Sequence, residues 1–461
     1  MRPFKTFLKT TSLALALAAV GLVATPAVDL VSFDSSAFAQ QDRVVKQRPK
    51  QRIAPQVSPE FFKRYETAQE LIAEENYVEA LEVINKMANR RGINDYERSI
   101  AVQLRGLIYY EQDNFPGAIR EYEAMLALPN LPYRFTDNVK YTLAQFYAIE
   151  GNFQKSLDIL LDWLSYQPDP SSSQWHYIAQ TYYQLGLQQV KTNKNRALES
   201  YRKGIPLIET AIDIAKANPT TQVRENLYEL QFVLYYELSN FSKVRDILEI
   251  IIVKWPRPRY WVQLSAMYSE LREDEKQLAV MDVGYRLGFI TAETNLVTVA
   301  QLYMISAPYL SAKVLEKGMR DDCGDACIDK EKARNQKLLG QAHLNAKDFA
   351  KAGKPLSLAA AEEKNGELYF QLGVVYMSIE EWEKAEDTLQ KAIKKGDLKQ
   401  EGEAYLRLGS VYFNMEQFKK AEDAFKAARR FPKVRKNAKG WIEYIVAEKA
   451  RLKRLAAAGL R

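Results

Sequence analysis

The C-terminal part of the chain contains one short hydrophobic pattern written twice, between Gly366 and Ala428. Within each copy the apolar and small residues follow one another at intervals of 3, 1, 3, 6, 3, 4 and 3 residues. Intervals of three and four keep side chains on one face of a helix, and the step of six contains a turn. Each copy therefore predicts a pair of amphipathic helices. The first copy consists of Tyr369, Leu372, Gly373, Tyr376, Trp382, Ala385, Leu389 and Ala392, and the second of Tyr405, Leu408, Gly409, Tyr412, Phe418, Ala421, Phe425 and Ala428.

The small residues mark the places where the two helices of a pair are expected to cross, because a short side chain lets the backbones approach closely. This pattern resembles the tetratricopeptide repeat, a helix-turn-helix unit of about 34 residues. The resemblance implies an all-α fold, a right-handed α-solenoid of about ten helical hairpins with a C-terminal capping helix. The repeat-packing positions are then Gly106, Ala118, Ala144, Ala179, Gly340, Ala352, Gly373, Ala385, Gly409 and Ala421.

The phase of the two clear copies can be followed backwards to Pro59. Three early units carry Ala80, Ala118 and Ser156 at the equivalent place, 38 residues apart. A final amphipathic helix is expected within 437–455, where it would cover the open apolar face of the last repeat. Stacking is required because one unit cannot bury its apolar face alone.

The fourth unit departs from this regularity. It begins clearly at Trp175 and then loses phase, and Pro206 disfavours one unbroken helix through the region. The sequence therefore predicts longer helices or an inserted turn, an irregular insertion near 188–206.

The first 39 residues have the features of a cleavable export signal. Positive charges precede a short apolar run, Ser12 to Ala24, and small-residue sites follow it. Cleavage after Ala39 fits the small-x-small rule best, with Ala27 as a second candidate and an uncleaved anchor as the competing interpretation. The resulting prediction is a periplasmic protein of a Gram-negative bacterium.

These features predict the domain organisation from end to end. The predicted segments are a signal peptide (1–39), a basic flexible linker (40–58), N-terminal and central repeats (59–319), a Cys-containing loop (320–332), C-terminal repeats (333–430) and a basic capping helix and tail (431–461).

Composition weighs against catalysis and against metal or cofactor chemistry. The chain has 27 Tyr but two His, and proton-transfer and metal sites draw heavily on His. The net charge of +7 is partly concentrated at the two ends, which could touch anionic lipid weakly or be solvated. Nucleic acid is a poor candidate partner for an exported protein, and no cofactor is expected.

The cysteines, Cys323 and Cys327, stand four residues apart in one loop. In an oxidising compartment they are expected to form a disulfide. A redox pair, or a metal site with Asp321, Asp322 and Asp325, is the alternative. The spacing differs from that of thioredoxin-like centres, and no His is close in sequence.

The resemblance also implies a partner-binding groove, since in the family the first helix of each pair lines the concave surface. The front half of this groove is rich in Tyr and Gln, and the rear half is more apolar. The alternative is that the rings pack between adjacent first helices. The Asn of the family's carboxylate clamp is absent from the ninth positions read here. The groove residues implied are Tyr110, Tyr141, His176, Gln180, Tyr183, Tyr236, Phe370 and Phe413.

The function implied is that of a non-enzymatic scaffold or adaptor that binds another protein of the cell envelope. The whole-chain layout also resembles exported repeat proteins described as components of TonB-type energy-transduction systems. The alternatives are a cell-wall or outer-membrane assembly factor and an activity at the Cys323 loop.

Overall fold

The computed structural model describes residues 44–49, 52–220 and 222–457. The predicted signal peptide (1–39) lies outside these residues, as do parts of the predicted linker and the last four residues of the tail. The chain divides into two units, residues 1–44 and 45–461, and all of the described helices lie in the second. In the described residues this unit contains 21 α-helices and no strand.

Twenty of the helices follow one another as ten hairpins, and the last helix stands alone. The helices are α1 (Pro59–Ala73), α2 (Tyr77–Ala88), α3 (Asp95–Glu111), α4 (Phe115–Leu126), α5 (Tyr133–Ile149), α6 (Phe153–Leu164), α7 (Ser172–Gln189), α8 (Lys194–Ala217), α9 (Glu225–Glu237), α10 (Phe241–Lys254), α11 (Pro258–Glu270), α12 (Asp274–Arg286), α13 (Glu293–Ser306), α14 (Pro308–Gly318), α15 (Ala333–Asn345), α16 (Phe349–Glu362), α17 (Glu367–Ser378), α18 (Trp382–Lys395), α19 (Glu401–Asn414), α20 (Phe418–Ala428) and α21 (Arg435–Ala457).

The hairpins stack in chain order. The two helices of each hairpin pack on each other, and the second helix of each hairpin packs on the first helix of the next. Some first helices also contact the first helix of the following hairpin, as α7 and α9 do. The structure thus confirms the predicted all-α solenoid of about ten hairpins.

One turn geometry, with a residue of positive φ before the N-cap, recurs in every hairpin except the fourth and the seventh. In the ninth hairpin the first helix ends, Glu380 takes a positive φ of 60°, and Glu381 is the N-cap of the second helix. The N–H of Glu381 donates to the carbonyl of Tyr376 at 2.9 Å, so a carbonyl of the last helical turn keeps a partner. Where the N-cap is Asn114 or Asn152, its side chain also accepts an N–H of the following helix.

The paired helices can approach closely only where their side chains are small. A Cβ on Gly373 would lie 2.6 Å from Cγ of Leu389, and a Cβ on Gly409 would lie 2.6 Å from Cε1 of Phe425. Real Cβ atoms do not come so close to their neighbours, so the second helix can rest on the first only because these positions are glycine. The predicted repeat-packing residues are all buried.

The fourth hairpin corrects one prediction. Helix α8 has 24 residues and runs unbroken through Pro206, so the expected break at Pro206 is wrong. Side chains on both sides of the proline, including Tyr201 and Ile208, are buried. Their burial outweighs the cost of a proline inside a helix, roughly 3 kcal/mol. The expected longer helices are present, since α7 has 18 residues.

Part of the predicted linker is docked. The N–H of Lys46 donates to the carbonyl of Ser165 at 2.9 Å, and Arg48 forms an ion pair with Asp137. Residues 45–49 therefore lie against the third hairpin, which corrects the expectation of a flexible linker for this part of the segment.

Helix α21 covers the last hairpin, as its predicted capping role requires. The ring of Trp441 stacks on that of Phe425, with centroids 5.3 Å apart and planes inclined by 6°. Ala438 and Ile445 of the same helix are fully buried. The apolar face of α20 therefore does not end in solvent.

Substituting Gly409 by Ala tests the close approach in the tenth hairpin. The new Cβ would meet the ring of Phe425, which also stacks on Trp441, so the free energy of unfolding should fall by about 1–3 kcal/mol. Gly440→Ala is the matched control, because a Cβ there meets nothing within 4 Å. It should leave stability unchanged or raise it by up to about 1 kcal/mol. Urea denaturation of both variants makes the comparison, and equal stability would contradict the packing described.

Candidate functional site

The predicted groove residues of the front half lie on the first helices of hairpins two to five. Five of them are partly exposed and are spread over these four first helices. We call them the first-helix row. Its members are Tyr110, Tyr141, His176, Gln180 and Tyr236.

Aromatic contacts join neighbouring first helices along this row. The ring of Tyr141 lies 5.0 Å from that of Trp163 and 5.8 Å from that of Tyr177 on α7. The ring of Tyr110 lies 5.6 Å from that of Phe146 on α5. Burial raises the pKa of Tyr141 to about 12, so its hydroxyl stays protonated at physiological pH. These rings pack between helices, as the alternative interpretation expects, and they are partly exposed, so their role in binding a partner stays a prediction.

Two predicted groove residues do not line an open surface. Tyr183 is 6% exposed and packs on Tyr201 of α8, because the long fourth hairpin brings that helix over it. Phe413 is flanked by Trp441 and Tyr444 of α21, with ring centroids 5.3 and 5.6 Å away. The capping helix therefore occupies the rear end of the predicted groove beside Phe413. Phe370 remains partly exposed and packs on the C-terminal core.

Among the titratable residues of the row, His176 has the pKa that differs most from its ordinary value. Burial is the main cause that lowers its pKa to about 4, and the nearby charge of Arg224 adds to the effect. Arg224 is held in place because its Nη2 donates to Oγ of Ser173 at 2.8 Å. The imidazole is therefore neutral at pH 7 and can both donate and accept a hydrogen bond.

An ion cluster next to the row was not predicted from the sequence. Tyr260 Oη on α11 lies 2.5 Å from Oε1 of Glu225 and 2.6 Å from Oε1 of Glu229, both on α9. Arg257 Nη2 donates to Glu225 at 2.6 Å, and Arg259 also bonds Glu229. The cluster ties hairpins five and six together at the N-terminal ends of their first helices. The run of Arg and Tyr at 257–260 was its only sequence signal.

The structure places Cys323 and Cys327 in a disulfide within the loop between α14 and α15. Ile328 follows it, is buried, and its N–H donates to the carbonyl of Gly318 at 2.7 Å. Asp321 pairs with Lys330, and Asp322 pairs with Arg320. In the described residues no group of three His, Cys, Asp or Glu side chains is placed to hold a metal ion.

His343 lies in the core, as its position in the repeat predicts. It is 4% exposed, and its Nε2 lies 3.3 Å from Oε1 of Glu316. Burial lowers its pKa although Glu316 and Asp348 act in the opposite direction.

None of the helices within residues 52–220 and 222–457 combines the length and apolar character needed to cross a membrane.

A comparison with protein families identifies the repeat of the last two hairpins. Residues 370–434 match the family model of the tetratricopeptide repeat. The match covers the ninth and tenth hairpins, where the sequence pattern is clearest. A comparison with curated proteins gave no match.

The chain is also similar to several solved structures. MamA has 22% identity over 38% of this chain and 97% of its own, with a TM-score of 0.31. YrrB, a TPR protein with an unusual peptide-binding site, has 18% identity over 39% of this chain and 89% of its own, with a TM-score of 0.32. Yeast Tom70 has 12% identity over 87% of this chain and 98% of its own, with a TM-score of 0.25. Because these TM-scores are low, we base no argument on the similarities.

The low pKa of His176 predicts a pH dependence with a definite sign. Below its ordinary pKa of 6.5 the unfolded chain binds a proton at this residue, whereas the folded chain does not until about pH 4. The free energy of unfolding should therefore fall as the pH drops from 6.5 towards 4, and His176→Gln should remove this contribution.

The direct measurement is an NMR titration of the two imidazoles, assigned with the His176→Gln and His343→Gln variants. The pKa of His176 should be about 4. A value near 6.5 would show that its ring is solvated and that the surroundings described here are wrong.

Proposed function

We propose that this protein is a non-enzymatic scaffold or adaptor that holds an extended part of another protein along the first-helix row. The observation that carries the proposal is the row itself. It offers partly exposed rings, an amide and a neutral imidazole on the first helices of four consecutive hairpins. Stacked repeats create extended surfaces of this kind for protein partners, and Tyr combines a large contact area with a polar tip.

The proposed location is the periplasm of a Gram-negative bacterium. Support comes from the N-terminal sequence, in which Arg2, Lys5 and Lys9 precede the apolar run of Ser12 to Ala24 and Ala39 offers a cleavage site. Within the envelope, we propose an accessory role in a TonB-type transport-energising system. This finer assignment is supported by the layout of an export-signal pattern followed by a long array of repeats.

Site-specific photo-crosslinking in living cells tests the proposal. The crosslinking amino acid would replace Gln180 or Tyr236 in the row, and Val253 as the control. Val253 belongs to the same hairpin as Tyr236 but lies on the second helix and is 79% exposed. We expect adducts with envelope transport proteins from Gln180 and Tyr236 and none of these from Val253, as identified by mass spectrometry.

Two results would count against the proposal. Equal adducts from all three positions would mean that the row is not a preferred surface. Capture of murein enzymes or outer-membrane assembly proteins, and not of transport components, would agree with a scaffold role but contradict a role in a TonB-type system.

A further inference from the structure

An arginine of the N-terminal segment is held at the edge of the third hairpin. The guanidinium carbon of Arg48 lies 4.8 Å from the ring centroid of Tyr133 and 4.6 Å from that of Tyr166. Its Nη2 donates to Oδ1 of Asp137 at 2.5 Å. The side chains of Arg48 and Asp137 are 19% and 16% exposed, so most of the ion pair is removed from water. The guanidinium thus meets two aromatic rings and a carboxylate at once.

The third hairpin alone provides this site, which we call the arginine cradle (Tyr133, Asp137, Tyr166 and Gln167). Tyr133 and Asp137 are one turn apart at the start of α5, and Tyr166 and Gln167 follow the end of α6. Gln167 Nε2 donates to Oδ2 of Asp137 at 3.1 Å, which holds the carboxylate in place from the side away from Arg48. All four residues of the cradle thus come from the third hairpin and the residues that follow it.

The chemistry of the cradle favours arginine over lysine. A guanidinium is planar, stacks on aromatic faces and is weakly hydrated, whereas an ammonium is a compact and strongly hydrated charge. The occupant must also be extended, because the N–H of Lys46 reaches the carbonyl of Ser165 at 2.9 Å while Arg48, two residues on, enters the cradle. The site thus recognises an arginine within an extended stretch of backbone.

Beyond Arg48 the segment keeps one more contact with the cradle, since the guanidinium carbon of Arg52 lies 5.3 Å from the ring centroid of Tyr133. Residues 52–56 are all exposed. The next firm attachment is at Ser58, whose N–H donates to Oε1 of Glu97 at 2.8 Å. An occupant tethered in this way is held by its high effective concentration and can be displaced by a competing segment.

We propose that the arginine cradle is a recognition site for an arginine in an extended basic segment of a partner protein, and that Arg48 occupies it intramolecularly until such a segment displaces it. The cradle lies at the ends of α5 and α6, and its test does not depend on the first-helix row or on the proposed location. Failure of one proposal therefore leaves the other untouched.

A fluorescent peptide with the sequence of Val44–Arg52 is the probe, and binding to the full-length chain is measured by anisotropy. If Arg48 fills the cradle for about 90–99% of the time, removing it should tighten peptide binding about 10- to 100-fold. We therefore expect Arg48→Ala to bind the peptide about 10-fold or more tightly than the unaltered chain. Adding Asp137→Asn to Arg48→Ala should abolish this gain.

Two controls separate recognition from general charge attraction. Asp169→Asn, added to Arg48→Ala, removes the same charge at an exposed position near the cradle and should leave affinity unchanged. A peptide with Lys in place of the residue equivalent to Arg48 should bind the Arg48→Ala protein about 10-fold more weakly, although its charge is the same.

Either of two results would overturn the proposal. One is equal affinity of the unaltered chain and Arg48→Ala for the peptide. The other is equal affinity of the Arg and Lys peptides for the Arg48→Ala protein, a comparison that needs no change in the cradle itself. In either case Arg48 would be only a structural clamp.

Discussion

No hairpin of this chain can bury its apolar side chains by itself, and the whole structure depends on that constraint. Ordering a residue costs roughly 1–2 kcal/mol of conformational entropy, and a lone pair of short helices has too little apolar area to offset it. Each hairpin therefore rests on the next. The last one rests on α21, where Trp441 stacks on the buried ring of Phe425. Glycines such as Gly373 and Gly409 allow the two helices of a hairpin to pack closely.

This constraint explains how much of the fold could be predicted from the sequence. The residues at which paired helices cross must be small and must recur at regular intervals. The ten hairpins and the capping helix could therefore be predicted from the sequence. Pro206 was misjudged because a local preference was outweighed by burial on both sides of it. Tyr183 and Phe413 were predicted to line an open groove. Their positions within a repeat do not show that the long helix α8 covers Tyr183 or that the capping helix α21 packs on Phe413. Arg48 could not be assigned to Asp137, since 89 residues separate them.

Function in such a molecule depends on the side chains that do more than pack one hairpin on the next. Along the first-helix row the rings pack between helices and stay partly exposed, and His176 is neutral because burial lowers its pKa to about 4. At the edge of the third hairpin the same scaffold holds two rings and a carboxylate in a geometry suited to arginine. The stacked hairpins fix both surfaces, so neither must be ordered when a partner arrives.

The stacked hairpins hold the N-terminal segment at the edge of the third hairpin. Hydrogen–deuterium exchange of peptides covering 44–52 tests it most directly, because the N–H of Lys46 is bonded to Ser165. We expect slow exchange of this amide in the unaltered chain and fast exchange in Asp137→Asn, with α5 and α6 protected in both. Exchange of 44–52 at the rate of an unfolded peptide in the unaltered chain would contradict it.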